Sequence, residues 1–448
     1  MFSAYNYPLT NSSLEFYRGP ILRSISDNLS EYCEDALIVT QKEGEKAGLI
    51  IAIGEAAKVA NEFKLDLSTL KENTDLLMPA FFDTHFHWVQ DDVRQMPKVS
   101  LIEWLERYTF PEEAKYSDRE FSSVKAKRFW KRILSVGTIG GFCYSSIHEV
   151  ALEEAFKYAP EDFYIGNVLM TMNCPKDIRQ SPSNACEIVD NCAKRYKGRY
   201  VCSPRFAPTT CPEAMQASVL AAARHDCFQQ THLGETKNEI KWVLDIYAKI
   251  KGFEDIETYT EIYDRVSMLG PKTIFGHCIY LDDSEWKLLA DSGSRIASCP
   301  SSNAPHEQLG IGSGLFNFEN AQMMGVPWAV AADIGGGPFL SMFDVMRSFV
   351  SQNKKVGRHT ATYTKALHRA TFKGAELMEL STDRGMLSVG YYLDAIRVPM
   401  PPQLTAEADG ESVLEALIRS IPSREYSDSF VNETIIKGKS CFRKEAAV

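Results

Sequence analysis

A chain of 448 residues with 49 basic against 59 acidic side chains carries a formal charge of −10, which argues against a surface built for nucleic acid or anionic membrane. Its 44% hydrophobic and 24% charged content is that of a globular protein with a sizeable core, and it excludes a disordered or fibrous chain. The length exceeds one ordinary domain but suits a (β/α)8 barrel with a small accessory unit.

Met1–Leu9 has neither the basic region nor the apolar core of a secretory signal. No apolar run approaches the roughly 18–20 residues of a membrane span, so a cytoplasmic protein is expected. The sequons at Asn11, Asn28 and Asn432 then carry no weight. Eleven cysteines are present without a single C-x-x-C pair. Most lie in apolar stretches, as Cys143, Cys202 and Cys299 do, and read as reduced and buried.

Residues 1–75 mix short β-like runs (Ala36–Thr40, Gly48–Ala52) with polar turns. Strand-length apolar stretches then alternate with helical patterns, as in a parallel α/β fold. Eight strands are predicted: Leu77–Phe82, Gly137–Tyr144, Phe163–Met170, Arg199–Ala207, Phe228–Thr231, Lys272–Gly276, Arg295–Cys299 and Val326–Ala332. Ile240, Val243, Leu244, Tyr247 and Ile250 recur at helical spacing and predict a crossover helix between the fifth and sixth. Eight strand–helix units predict a closed TIM barrel over residues 76–384. Past Arg384, Ser388–Pro399 and Asn432–Phe442 read as strands around a helix at Val413–Ile421. Residues 1–75 and 385–448 are therefore expected to share one small β domain.

Phe81-Phe82-Asp83-Thr84-His85-Phe86-His87 ends the first strand. Residues i and i+2 of a strand face one side, so His85 and His87 can share a metal. His232 closes the fifth strand, His277 the sixth and Asp333 the eighth. Five imidazole and carboxylate groups at strand C-termini converge where barrel enzymes keep their chemistry, and they describe a catalytic metal site.

This constellation resembles the amidohydrolase superfamily, which places HxH on strand one, His on strands five and six, and Asp on strand eight. Arg199–Ala207 offers Arg205 and no lysine to bridge two metals, so the resemblance implies the mononuclear, deaminase-like branch with one zinc per chain. Within that branch, Leu101-Ile102-Glu103-Trp104-Leu105-Glu106-Arg107-Tyr108-Thr109-Phe110-Pro111, read as a loop after strand one, is similar to the guanine deaminases. So are Ser203-Pro204-Arg205-Phe206, Ser298-Cys299-Pro300-Ser301-Ser302-Asn303 and Asp333-Ile334-Gly335-Gly336-Gly337. Departures are Gly234 and Thr236 flanking Glu235, a longer stretch at Ala304–Gly314, and Ala331-Ala332 before the aspartate.

The resemblance implies hydrolysis of guanine to xanthine and ammonia by a homodimer acting on a small purine. Zinc on His85, His87 and His232 would activate water, with His277 and Asp333 as further ligands. Asp333 would accept the water's proton, and His277 would orient the nucleophile. Glu235 would shuttle protons to the ring and the amine. Gln90 and Arg205 would hold the ring's polar edge and Phe206 its face, with His306 in the longer loop near substrate. A pterin or 8-oxoguanine is the alternative ring, and a non-catalytic scaffold the alternative class. The cytidine-deaminase fold is excluded, because it needs a P-C-x-x-C pair.

Overall fold

The computed structural model describes residues 13–402, 404, 408–421 and 427–445; Met1–Leu9 and the Asn11 sequon lie outside them. Four strands come first, β1 (Leu14–Ser26), β2 (Leu29–Gln41), β3 (Ile50–Glu55) and β4 (Leu76–Pro79). Eight follow: β5 (Phe81–His87), β6 (Thr138–Ser145), β7 (Phe163–Leu169), β8 (Val201–Pro204), β9 (Phe228–Leu233), β10 (Thr273–His277), β11 (Arg295–Ser298) and β12 (Trp328–Val330). Three close the chain, β13 (Ala395–Val398), β14 (Glu433–Ile436) and β15 (Lys439–Arg443).

Strands β5 to β12 pair in parallel and in sequence order. The seam between the first and last is bridged by Asp333 N donating to His85 O at 2.8 Å and His87 N to Ile334 O at 2.9 Å. Helices surround this (β/α)8 barrel, and its strands are buried on both faces, which is why they read as unbroken apolar runs. The crossover helix forms at Lys237–Tyr247, started by a capping box between Thr236 and Glu239. No helix among the described residues is long and apolar enough to cross a membrane.

The remaining strands form a separate sheet in the order β15-β14-β13-β4-β1-β2-β3, built from both chain ends. Here the structure corrects three expectations. The run Leu77–Phe82 is two strands in two sheets: Ala80 N donates to Asp394 O in the small sheet, while Phe81 N donates to Gly137 O in the barrel. Both neighbourhoods are apolar, so the hydrophobic pattern does not mark the switch. Asn432–Phe442 is a hairpin rather than one strand, turned at Lys437 (φ 48°) and Gly438 (φ 76°). Two positive φ values fit the twist of a tight hairpin, but Lys-Gly lacks the usual Asn or Asp that announces such a turn. Of Ser388–Pro399, only Ala395–Val398 is strand.

Candidate active site

Barrel strands deliver the functional groups to one mouth. His85 and His87 project together from the end of β5 and are buried. His232 comes from β9 and His277 ends β10. Asp333 follows β12, and the same backbone bond that bridges the seam sets its carboxylate beside the imidazoles. His85 Nε2 lies 3.4 Å and His87 Nε2 3.5 Å from Asp333 Oδ1. His87 Nε2 lies 3.2 Å from His232 Nε2. The donor atoms of His85, His87, His232 and Asp333 all fall within 4.8 Å of one another. His277 (φ 72°) and Asp333 (φ 49°) both hold left-handed backbone, a strain of order 1 kcal/mol each that concentrates at functional sites. Gly276 is required underneath, since a Cβ there would meet His85 Cε1 at 2.5 Å.

The donor set fits a metal ion. His232 Nδ1 is 2.7 Å from the Arg205 carbonyl oxygen. A carbonyl only accepts, so Nδ1 carries the proton and Nε2 turns its lone pair inward. That lone pair faces His87 Nε2, while His85 Nε2 is buried with no hydrogen-bond partner. Buried polar atoms are normally satisfied, and a cation at their common focus satisfies these together. Burial holds His85, His87 and His232 well below the ordinary imidazole range, which keeps them in the neutral form that binds metal. Cys299 also comes close enough to join His85, His277 and Asp333 in a second four-atom group.

Glu235 stands at the edge of this cluster, 3% exposed, its Oε2 3.6 Å from His277 Nε2. Burial, and then the Asp333 charge, push its carboxyl up to about 8. Ser313 Oγ donates to its Oε1 at 2.8 Å and Asn303 Nδ2 at 3.2 Å. Asn303 Nδ2 also lies 3.2 Å from His277 Nδ1. The Glu235 backbone N–H is held by Glu239 Oε2 at 3.0 Å, so the box that starts the crossover helix also fixes the glutamate.

The pocket beside the cluster is lined by Gln90, Leu101, Trp104, Leu105, Arg205, Phe206 and Ile311 along with His87, His232, His277, Glu235 and Asp333. Leu101–Ala114 is helical rather than a loop, with a π-helical stretch at Leu105–Thr109 inside it. One residue of that segment escapes sequence reasoning. Glu113 receives Gln90 Nε2 at 2.7 Å and Arg205 Nη1 at 2.9 and 2.8 Å. Nothing in Phe110-Pro111-Glu112-Glu113 separates an inward acid from a solvated one. Asn303 and Ser313 lie in the stretches Ser298–Asn303 and Ala304–Gly314 singled out above, but nothing in the sequence marks them as partners of Glu235. His306 lies with Val99 and Asn238 on a separate surface cleft and does not line the pocket. His225 and His368 bond instead to Asp190 and Ser24 and do not line the pocket.

Residues 76–440 match the sequence profile of the amidohydrolase family. The chain belongs to that family. Among curated proteins, this amidohydrolase is 29% identical to the guanine deaminase of Escherichia coli (strain K12) over 357 residues, 78% of this chain and 77% of that protein. It is 27% identical to the guanine deaminase of Dictyostelium discoideum over 409 residues, 86% and 88% of the two chains. Among solved structures, the E. coli guanine deaminase superposes with a TM-score of 0.84 at 24% identity, over 96% of this chain and all of the other. The guanine deaminase from C. acetobutylicum with bound guanine gives 0.82 at 22% identity, over 96% of this chain and 100% of that one. At those identities the superpositions establish the shared amidohydrolase barrel.

Proposed function

We propose that this amidohydrolase hydrolyses guanine to xanthine and ammonia, with one zinc ion per chain held by His85, His87, His232 and Asp333, and His277 alongside. The observation that carries the reading is the meeting, in one pocket, of a metal-competent donor cluster, the buried Glu235 carboxyl and the Gln90–Glu113–Arg205 group. The guanine deaminases among the curated relatives, which this chain matches over most of its length, support the ring.

When bound, zinc supplies Lewis acidity that brings the pKa of water from 15.7 to about 7. Asp333, at the edge of the donor cluster, takes the proton of the attacking water. Glu235, raised by burial to about 8, is protonated at neutral pH and so gives its proton to the ring nitrogen next to the amine-bearing carbon. It then takes the second proton of that water from the new hydroxyl and passes it to the amine as the C–N bond breaks, and the proton on Asp333 restores it, so that guanine plus water becomes xanthine plus ammonia. His277, between Glu235 and Asp333, orients the nucleophile. Arg205 donates to the ring carbonyl, Gln90 meets the neighbouring edge, and Phe206 packs on the ring face. We also read the chain as a cytoplasmic homodimer of purine breakdown, with a barrel at 76–384 that lends β4 to the accessory sheet of 1–75 and 385–448.

Ile311 lines the pocket and Ser313 holds Glu235, both from the longer Ala304–Gly314 stretch. Those contacts favour, as the second reading, another aminated heterocycle such as a pterin or 8-oxoguanine. Zinc-loaded protein offered guanine, a pterin and 8-oxoguanine, with ammonia release as the readout, decides between them. Guanine is expected to give the highest kcat/KM. A higher value for a pterin overturns the first reading, and no turnover on any ring overturns both.

A further inference from the structure

We infer that Glu113 makes the ring-edge subsite electrically neutral, and thereby selects an uncharged lactam edge over an anionic heterocycle. The inference rests on the pocket receiving a heterocycle, as proposed above, and adds what kind of edge it admits.

The Glu113 side chain is 1% exposed and that of Arg205 is 4% exposed. A guanidinium buried that deeply without a counter-charge would recruit an anion, because an unpaired buried charge is costly. Here the counter-charge is built in. Arg205 Nη1 donates to both Glu113 oxygens, at 2.9 and 2.8 Å, and the guanidinium lies 5.5 Å from the centre of the Phe110 ring. That pair uses Nη1 alone, so the other guanidinium donors are not spent on Glu113. Arg205 therefore offers a ligand hydrogen bonds without offering net charge.

Glu113 also settles the direction of the Gln90 amide. A carboxylate only accepts, so the atom 2.7 Å from Glu113 Oε1 is the amide nitrogen, and the amide oxygen, which packs beside Gly335, is the acceptor end that Gln90 keeps at the pocket wall. The subsite thus presents guanidinium donors beside one carbonyl acceptor. A neutral lactam, N–H next to C=O, is complementary to that pattern. A deprotonated ring has lost the N–H and would turn negative charge toward the Gln90 oxygen, with no net positive charge to balance it. Glu113 is in this sense a positioning residue, acting on a ligand through Gln90 and Arg205.

The test compares equilibrium binding of neutral hypoxanthine and of the urate monoanion at neutral pH, by calorimetry on zinc-loaded protein, with guanine kinetics alongside. Wild type is expected to prefer hypoxanthine. In Glu113→Gln, which keeps the shape but frees the Arg205 charge, the preference ratio should move toward urate by roughly tenfold to a hundredfold. The same variant should raise the guanine KM while kcat changes only a few-fold. Arg205→Met, which leaves Glu113 unpaired, should move the ratio the opposite way, and it carries the test by itself if Glu113→Gln does not fold. The double variant should return toward the wild-type ratio. A ratio unmoved in either folded single variant overturns the inference. Because ligand binding is read without turnover, a wild-type protein that binds these rings yet leaves guanine intact fails the proposed reaction and not the charge selection.

Discussion

Two clusters of ionisable groups are buried at opposite ends of the barrel, and they are built on opposite principles. At the N-terminal end, Arg384 is 2% exposed and donates to Asp394 of the small sheet and, at 2.7 Å, to Asp162 ahead of β7. Asp394 Oδ1 also receives Lys437 N at 2.9 Å. A chain cation sits between two carboxylates there, and the cluster locks the barrel to the accessory sheet. At the C-terminal end, imidazole nitrogens and the Asp333 carboxylate converge, at 3.2 Å between His87 and His232 and at 3.4 and 3.5 Å from His85 and His87 to Asp333. The first cluster holds its cation in the chain, as Arg384, and the second gathers donors of the kind that hold a metal ion. The contrast separates a structural ion pair from a functional site without reference to any relative.

The sharpest way to break the comparison is at Glu235. Glu235→Gln keeps volume and removes the transferable proton, and is expected to lower kcat by about 10²–10⁴-fold. Its zinc content, by atomic absorption, and its thermal midpoint should stay at wild-type values. A large fall in either would place Glu235 among the structural groups instead.

Arg384→Met should do the reverse. It leaves Asp394 and Asp162 unpaired around an apolar side chain, at an expected cost of about 3–5 kcal/mol of unfolding free energy. The folded fraction should keep wild-type kcat, and urea unfolding read beside specific activity checks both halves of that statement.

Zinc should stabilise only through the mouth. At a free zinc concentration of about 100 times Kd the gain is ~2.7 kcal/mol. His232→Asn should abolish that gain in calorimetric scans, and Arg384→Met should leave it intact.

The smallest effect concerns a second paired site. Arg369 clasps Asp27 through Nε at 2.8 Å and through Nη2, holding the β1–β2 turn against β12. Burial pulls the Asp27 carboxyl up, but its bonds to Arg369 outweigh that and leave it below the ordinary range. A depressed folded pKa contributes stability above the unfolded value of about 3.9, and that stability is lost as pH falls through the folded value. Asp27→Asn should therefore cost roughly 1–2 kcal/mol near neutrality. The gap from wild type should narrow below pH ~4 in urea midpoints, and a gap independent of pH would show that the ion pair is not its source.

Much of this was legible in the chain. His85 and His87 announce themselves by strand spacing, and His232, His277 and Asp333 by closing apolar runs, because strand periodicity and barrel polarity are local rules that place a side chain before any packing is known. The same rules were silent where the backbone changes sheets at Pro79–Phe81, because both surroundings are apolar. They were also silent in the segment Leu101–Ala114, whose inward face depends on what lies beneath it.

What the sequence determined by itself was the barrel and the metal-competent donor set. Only the tertiary structure decided that Glu113 pairs with Arg205, 92 positions away, that Ser313 and Asn303 hold Glu235, and that Arg384 lies between two carboxylates. Spacing along a strand is written in consecutive residues. Charge balance is a sum over neighbours in space, and it exists only once the barrel has closed.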